Sequence, residues 1–110
     1  MLVYFAVEGG FANQMRSITI AESGEATVEV NGVASDLPLD EASRAAIVAQ
    51  LERSGLFDRD RTYDARGADL QRYEIRYSGS TVVAYDTSVP GDLVEPIRLL
   101  EEAIRTARTR

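Results

Sequence analysis

The side chains available for chemistry in this sequence are Ser, Thr, Tyr, Asp, Glu and Arg. The chain contains no His, Cys, Trp or Lys, and all 12 of its basic residues are Arg. Without His it lacks the usual general acid–base group near neutral pH, and without Cys or Lys it lacks thiolate and Schiff-base nucleophiles. Zinc would have to bind through carboxylates alone, although zinc prefers nitrogen and sulfur ligands. We therefore expect that the protein is not an enzyme and has no catalytic residue, no cofactor and no metal site.

One acidic segment has the spacing of a calcium-binding loop. Asp58, Asp60, Thr62 and Asp64 stand at alternating positions, and Asp69 occupies the twelfth position of the segment. A calcium loop needs Gly at its sixth position for the sharp turn, where this chain has Tyr63, and a bidentate Glu at its twelfth. Three Arg residues in the same segment would also repel the ion. The segment from 58 to 69 is therefore predicted to be an exposed, charged loop.

A turn of unusual composition follows the first apolar segment. Gly9 and Gly10 stand side by side where an ordinary hairpin needs at most one glycine, so the turn is predicted to be mobile. The next residue, Phe11, is large and apolar, although loops usually run over the surface and are polar. Phe11 either folds into the core beside Phe5 or is held out for a partner to bury. The pattern of residues leaves both alternatives open.

Charge and composition limit the class of partner and the expected location. The net charge is −6 and the isoelectric point is about 4.6, whereas a nucleic-acid-binding protein normally carries a basic stripe. No apolar run approaches the roughly 20 residues that span a bilayer, and residues 1–7 lack the basic start of a signal peptide. We expect a single cytoplasmic domain of residues 1–110, with no nucleic acid, membrane or small-molecule substrate as a partner.

The pattern of apolar residues predicts about five strands and two helices. Alternation of apolar and polar residues predicts strands near 2–7, 16–21, 26–30, 70–77 and 81–85. Asn31-Gly32 predicts a hairpin turn, after which Val33 to Ser35 form a short returning strand. Asp40 is the expected N-cap of the first helix and Gly55 its C-terminal cap. The last helix is expected to become regular at about Pro96. Its apolar stripe consists of Leu93, Ile97, Leu100 and Ile104.

This order of elements, βββαββα, is typical of a two-layer α+β fold. In such a fold an antiparallel sheet, here of about five strands, has both helices packed on one of its faces.

The Gly-Gly-Phe-Ala turn directly after the first strand resembles the signature of the emfourin-type inhibitors of thermolysin-like (M4) metalloproteases. Shorter similarities follow in the same order along nearly the whole chain: Leu39-Asp40-Glu41-Ala42, Ser54-Gly55-Leu56-Phe57, Gly67-Ala68-Asp69 before Tyr73-Glu74-Ile75, and Val89-Pro90 before Pro96-Ile97. Members of the family often carry a basic residue and Ser before the two glycines and another Gly after the Ala. This chain has Val7-Glu8 before the turn and Asn13-Gln14 after it.

The resemblance implies a protein that inhibits a thermolysin-like metalloprotease by inserting this turn into the active-site cleft. Such proteases cut on the amino side of large apolar residues, so Phe11 would fill the pocket just past the scissile bond, near the zinc of the enzyme. The implied partner-binding residues are Gly9, Gly10, Phe11, Ala12, Asn13 and Gln14, with Gly67, Ala68 and Asp69 as candidates for a second contact. The main alternative is an adaptor module in which Phe11 belongs to the core, and an enzyme that uses carboxylates and Tyr is a third possibility.

Overall fold

The computed structural model describes residues 2–10 and 14–108 of the chain. Segments in which apolar and polar residues alternate form its strands, and segments in which apolar residues recur every three or four positions form its helices. The strands are β1 (Val3–Gly9), β2 (Gln14–Ile20), β3 (Glu25–Val30), β4 (Val33–Pro38), β5 (Arg61–Tyr63), β6 (Gln71–Tyr77) and β7 (Ser80–Tyr85), and the helices are α1 (Glu41–Ser54) and α2 (Gly91–Arg108).

A single mixed sheet joins the seven strands of the described residues, in the order β4-β3-β2-β1-β6-β7-β5. Neighbouring strands are antiparallel except for β5 and β7, which run parallel. Strand β1 comes first in the chain but lies at the centre of the sheet, paired along its full length with β2 on one side and β6 on the other. Any feature at the end of β1 is therefore supported from both sides.

One face of this sheet supplies the larger part of the core. Val3, Phe5 and Val7 of β1 are fully buried, and they share one face because side chains alternate along a strand. Ile18 and Ile75 flank Phe5 in the register of the neighbouring strands and are equally buried. This central apolar row fixes which way every other side chain of the sheet points.

Both helices pack on this same face of the sheet. Arg16 of β2 forms an ion pair with Glu101 of α2, and the Tyr77 hydroxyl of β6 donates a hydrogen bond to the Glu52 carboxylate of α1. The registers of β2 and β6 place Arg16 and Tyr77 on the face that carries the buried row of β1. The two-layer α+β architecture is confirmed.

The predicted ends of the first helix are also confirmed. Asp40 is the N-cap of α1, and its carboxylate accepts a hydrogen bond of 2.7 Å from the Ser43 N–H. Gly55 is the C-cap, with φ at +66° in the left-handed region. A side chain that satisfies the first free backbone donors and a glycine that ends the helix are local signals, which is why the sequence alone could place them.

The second helix has the predicted apolar stripe but begins earlier than predicted. Its four stripe residues are buried, whereas the helix starts at Gly91 and contains Pro96 within its second turn. Proline removes one backbone donor, which a long helix anchored by a buried stripe can tolerate near its start. Neither helix in the described part of the chain is both long and apolar enough to cross a membrane.

The predicted sheet of about five antiparallel strands is wrong in number and in direction. The chain after Asn31-Gly32 does not return briefly but continues as β4 to Pro38. The predicted loop from 58 to 69 contains β5, which makes the sheet mixed because it pairs parallel to β7. A three-residue strand has no alternation long enough to detect, and Tyr63 is drawn into the sheet by packing against the core.

Candidate functional site

The sheet ends on one side in a group of loops that we call the loop end. It comprises the end of β1 at Gly9 and Gly10, the start of β2 at Gln14, the turn Asn31-Gly32, and the segments 64–70 and 86–90. The antiparallel registers of β1 with β2 and β6 bring these segments together, since Gly9 is the partner of Gln14 on one side and of Gln71 on the other. The connection between the two paired arms of the hairpin thus comprises residues 10–13.

The predicted partner-binding residues fall into two groups in the structure. Gly9, Gly10 and Gln14 lie at the loop end, as does the segment from Gly67 to Asp69, whose residues are exposed. Phe11, Ala12 and Asn13 lie outside the described residues. The two segments that the sequence suggested as separate contacts are thus neighbours in space, and their role in binding a partner stays a prediction.

The two glycines of the turn are held by close contact with the segment that leads into β6. The Gly10 N–H donates a hydrogen bond of 3.1 Å to the Leu70 carbonyl oxygen. Gly9 and Gly10 have φ values of +87° and +78°, and a Cβ added at Gly9 would stand 2.9 Å from the same carbonyl oxygen. Residues with side chains disfavour such φ values, and this position also has no room for one. Both glycines are therefore packed against the segment that leads into β6, and the predicted mobility of the turn stays a prediction.

Gln71 lies directly against the second glycine. A Cβ added at Gly10 would stand 2.8 Å from Gln71 Cγ and 3.3 Å from its Nε2. The side chain of Gln71 is itself held, because its Oε1 accepts a hydrogen bond of 3.0 Å from the Tyr73 hydroxyl. A flexible side chain could move away from a new methyl group, but one tied at its far end cannot do so without losing that bond.

Tyr73 is fixed from several sides. Its ring stacks on Phe5, with the centroids 6.3 Å apart and the planes 11° from parallel. Burial raises the pKa of the Tyr73 phenol, and the carboxylates of Glu101 and Asp86 raise it further. The hydroxyl therefore stays protonated at neutral pH and keeps its proton for the bond to Gln71.

Asp86 holds the backbone at the start of β6. Its Oδ2 accepts a hydrogen bond of 3.3 Å from the Gln71 N–H, and its own N–H donates one of 3.1 Å to the Gln71 carbonyl oxygen. The loop after β7 is fastened in turn by Ser88, whose hydroxyl donates to the Tyr63 carbonyl oxygen at 2.6 Å and accepts from the Tyr85 N–H at 3.0 Å. The backbone under the glycine turn is thus fixed by polar contacts that reach across β7 to β5.

The other arm of the hairpin is fixed to its own neighbours. The side-chain oxygen of Asn31 accepts a hydrogen bond of 3.0 Å from the Met15 N–H. The Asn31 N–H donates one of 2.8 Å to the Met15 carbonyl oxygen. One residue further along, Arg16 makes two hydrogen bonds to Glu101, of 2.9 and 3.1 Å, and both side chains are less than a fifth exposed. A bidentate pair of this kind is stronger than a single surface contact, so β2 is clamped to α2 close to the turn.

The open face of the sheet carries a charged row next to β1. Glu74 accepts hydrogen bonds from Arg72 at 3.0 Å and from Arg76 at 2.6 Å, and Arg76 also lies 5.1 Å from the centre of the Tyr4 ring. Burial opposes ionisation of Glu74, but the two guanidinium groups outweigh it and lower the pKa of the carboxyl group. Arg72 also contacts the Glu8 carboxylate at 3.5 Å, so the row holds two carboxylates and two guanidinium groups, which keeps β6 polar on its open side.

In the acidic segment predicted to be an exposed loop, Asp58 and Asp60 each bind a different partner. Arg61 bonds Asp58 at 2.8 Å and the Leu56 carbonyl oxygen at 3.0 Å, while Asp60 accepts the Thr81 N–H at 2.8 Å. The hydrogen bond from Arg61 lowers the pKa of Asp58. Over residues 2–10 and 14–108, no three His, Cys, Asp or Glu side chains gather in a way that could hold a metal ion.

A groove of about 510 Å³ runs between α1, α2 and the far end of β4, away from the loop end. Its lining is largely apolar and includes the carboxylates of Asp40 and Glu102. Hydrogen bonds from the backbone N–H and the side chain of Ser43 lower the pKa of Asp40, as suits a helix cap rather than a proton donor.

Sequence reasoning missed four residues that shape the site. Leu70, Gln71, Tyr73 and Asp86 act on the turn from strands and loops that are distant in sequence. The order of the strands was the missing information, because the residues opposite Gly9 are known only once β1 is known to pair with β6. No local motif marks Leu70, Gln71 or Asp86, and the motif that contains Tyr73 did not indicate a contact with the turn.

Comparison with known proteins adds no family to this description. No protein-family model matches the chain, and no curated protein matches it.

Proposed function

We propose that the protein is a proteinaceous inhibitor of a thermolysin-like zinc metalloprotease, of the emfourin type, and is not itself an enzyme. The observation that carries the proposal is the Gly9–Gly10 turn, which leads out of the central strand and is packed against the Leu70 carbonyl. A segment that enters a protease cleft binds tightly when little freedom is lost on binding. A turn anchored on both arms at the middle of a sheet meets that requirement.

Phe11 is the residue proposed to enter the protease. It follows the anchored glycine pair directly, and a large apolar side chain suits the pocket just past the scissile bond of thermolysin-like enzymes. Truncation of a central aromatic anchor in an interface typically costs about 2 kcal/mol or more. Phe11 is therefore expected to contribute a large share of the affinity, with the catalytic zinc belonging wholly to the partner.

The segment Gly67–Asp69 is the proposed second contact. It is exposed and continues directly into Leu70 and Gln71, the residues against which the glycine turn packs. A partner that takes up the turn would therefore meet this segment at the rim of its cleft. Two adjacent contacts bury more surface than a four-residue connection alone, which is what a specific interface needs.

The test is inhibition of a thermolysin-like protease by the wild-type protein and by Phe11→Ala. We expect the inhibition constant of Phe11→Ala to rise by roughly 30-fold, which corresponds to about 2 kcal/mol. Phe11→Leu keeps a large apolar group and should inhibit almost as well as the wild type. Val94→Ala is the matched control, because Val94 is 58% exposed on α2 and is not part of the loop end.

Two results would contradict the proposal in different ways. Equal inhibition by the wild type and Phe11→Ala would remove Phe11 as the anchor while keeping an inhibitor. A wild-type protein that inhibits no thermolysin-like protease would favour the adaptor module with Phe11 in the core.

A further inference from the structure

The contacts beneath the glycine turn suggest how an inhibitor of this kind avoids being cut. A peptide that enters a protease cleft in an extended form is a substrate unless it is held away from the geometry of attack or re-forms its bond. Hydrolysis between Gly10 and Phe11 would add one water across that bond, leaving a Gly10 carboxylate and a Phe11 amine, with the catalysis supplied by the protease. The residues that restrain Gly10 therefore decide between inhibitor and substrate.

We infer that Gln71 is the positioning residue of the inhibitory turn, held in place by Tyr73 and Asp86; this inference rests on the proposed function. The side chain of Gln71 fills the space on the Cβ side of Gly10, at 2.8 Å from an added Cβ. Its far end is tied to the Tyr73 hydroxyl, and its backbone is tied at both polar groups to Asp86. The glycine is thus packed against a side chain that has lost its own freedom.

Strand β6 and the glycine turn are held by different contacts. Asp86 bonds the backbone of Gln71, so β6 keeps its place when the side chain of Gln71 is shortened. The Tyr73 ring is held by Phe5, so removal of the hydroxyl alone leaves the ring packed. The variants Gln71→Ala and Tyr73→Phe should therefore loosen Gly10 without unfolding the sheet.

Gln71 touches the turn, whereas Tyr73 and Asp86 act through Gln71. Gln71→Ala should have the larger effect, because it removes both the packing against Gly10 and the tie to Tyr73. Tyr73→Phe removes the tie alone. Gln71→Met keeps a Cγ against Gly10 without the hydrogen bond, and we expect its behaviour to be close to that of Tyr73→Phe.

Two readouts separate a positioning role from a general loss of stability. The first is hydrogen exchange of the Gly10 amide, which bonds the Leu70 carbonyl, compared with the Leu2 amide, which bonds the Ile20 carbonyl at the opposite end of the sheet at 2.7 Å. The second is the rate at which thermolysin cuts the chain between Gly10 and Phe11, followed by mass spectrometry. Tyr77→Phe is the matched control, since it removes a hydroxyl hydrogen bond from the same strand and face at the opposite end.

We expect Gln71→Ala to speed Gly10 exchange by about tenfold and Tyr73→Phe by about threefold, the factors expected for the loss of local contacts. Exchange of the Leu2 amide should stay unchanged in both. Cutting between Gly10 and Phe11 should rise in the same order, while Tyr77→Phe should change neither readout.

The outcomes distinguish this inference from the proposed function. Wild-type rates of Gly10 exchange and of cutting in Gln71→Ala would overturn the inference, and so would equal effects of Tyr73→Phe and Tyr77→Phe. If Gly10 exchange rises as expected but the wild type inhibits no protease, the proposed function fails while the structural role of Gln71 in the turn stands. If the wild type inhibits and Gln71→Ala is neither looser nor cut faster, the proposed function stands without this role for Gln71.

Discussion

The β1–β2 and β6–β7 hairpins reverse the chain at opposite ends of the same sheet and use left-handed backbone in both turns. In β6–β7 these residues are Ser78 and Gly79, and a Cβ added at Gly79 would meet nothing within 4 Å. In β1–β2 a Cβ added at Gly9 would meet the Leu70 carbonyl at 2.9 Å. The β6–β7 hairpin needs its glycine for the local turn alone, whereas the β1–β2 hairpin also needs its glycine for contact with a distant segment.

The hairpins also differ in how they are joined to the helical layer. The β1–β2 hairpin is clamped to α2 by the charged pair of Arg16 and Glu101. The β6–β7 hairpin is joined to α1 by the hydroxyl of Tyr77 and the carboxylate of Glu52. Both hairpins are thus tied to the helices, and they differ in their turns: Gly9 packs against the distant Leu70 carbonyl, whereas the surroundings of Gly79 are open.

The largest expected effect comes from alanine at the crowded glycine. Gly9→Ala should lower the free energy of unfolding by roughly 2–3 kcal/mol, because it combines about 1–2 kcal/mol of backbone strain with a contact to a carbonyl that must shift. Gly79→Ala should lower it by only about 1 kcal/mol, since its surroundings are open. Urea unfolding of both variants measures the difference. Equal losses would show that the contact with Leu70 adds nothing to the local turn.

A smaller effect is expected from breaking the clamp of the first hairpin. Arg16→Met keeps the apolar stem but leaves Glu101 partly buried without its cation, so stability should fall by roughly 1–3 kcal/mol. The double variant Arg16→Met/Glu101→Leu should recover part of this loss, because no unpaired charge remains. A double variant as unstable as the sum of the two single variants would show that the pair does not couple β2 to α2.

The smallest effect is expected at the clamp of the second hairpin, and it depends on pH. Burial and the Glu52 carboxylate raise the pKa of Tyr77 to about 12, whereas an unfolded Tyr has a pKa of about 10. A raised pKa stabilises the fold fully below about pH 10, and this contribution is lost as the pH rises toward 12. Tyr77→Phe should therefore cost about 1 kcal/mol at neutral pH.

This prediction is checked by the dependence of the free energy of unfolding on pH. The difference in stability between the wild type and Tyr77→Phe should shrink between pH 9 and pH 12, as measured by urea unfolding at each pH. A difference that stays constant over this range would show that folding does not raise the pKa of Tyr77.

The parts of the fold that could be predicted from the sequence are those set by neighbours along the chain. Asp40 and Gly55 mark the ends of α1, and the stripe from Leu93 to Ile104 marks the buried side of α2. The α+β class follows from the order of such elements. Strand β5 was not predicted because its three residues are too few to show a pattern. It is stabilised by pairing with β7 at the edge of the sheet.

The candidate site divides in the same way. The glycine pair is visible in the sequence because two adjacent glycines are locally unusual. Its supports are not visible, since Gln71 and Asp86 are ordinary polar residues whose role depends on the pairing of β1 with β6. The identity of a turn can thus be inferred from composition, but the residues that fix its shape require the strand order.

The central place of β1 in the sheet has a consequence for synthesis of the chain. The Leu70 carbonyl that binds the Gly10 amide is added 60 residues after that glycine. At about 5–20 residues per second, a nascent chain waits roughly 3–12 s between making the turn and making its support. During that interval β1 can pair with β2 but has one bare edge, and long-range pairing of this kind is slow to form. The shape of the turn is therefore a property of the completed domain, and a peptide cut from the first 20 residues would not retain it.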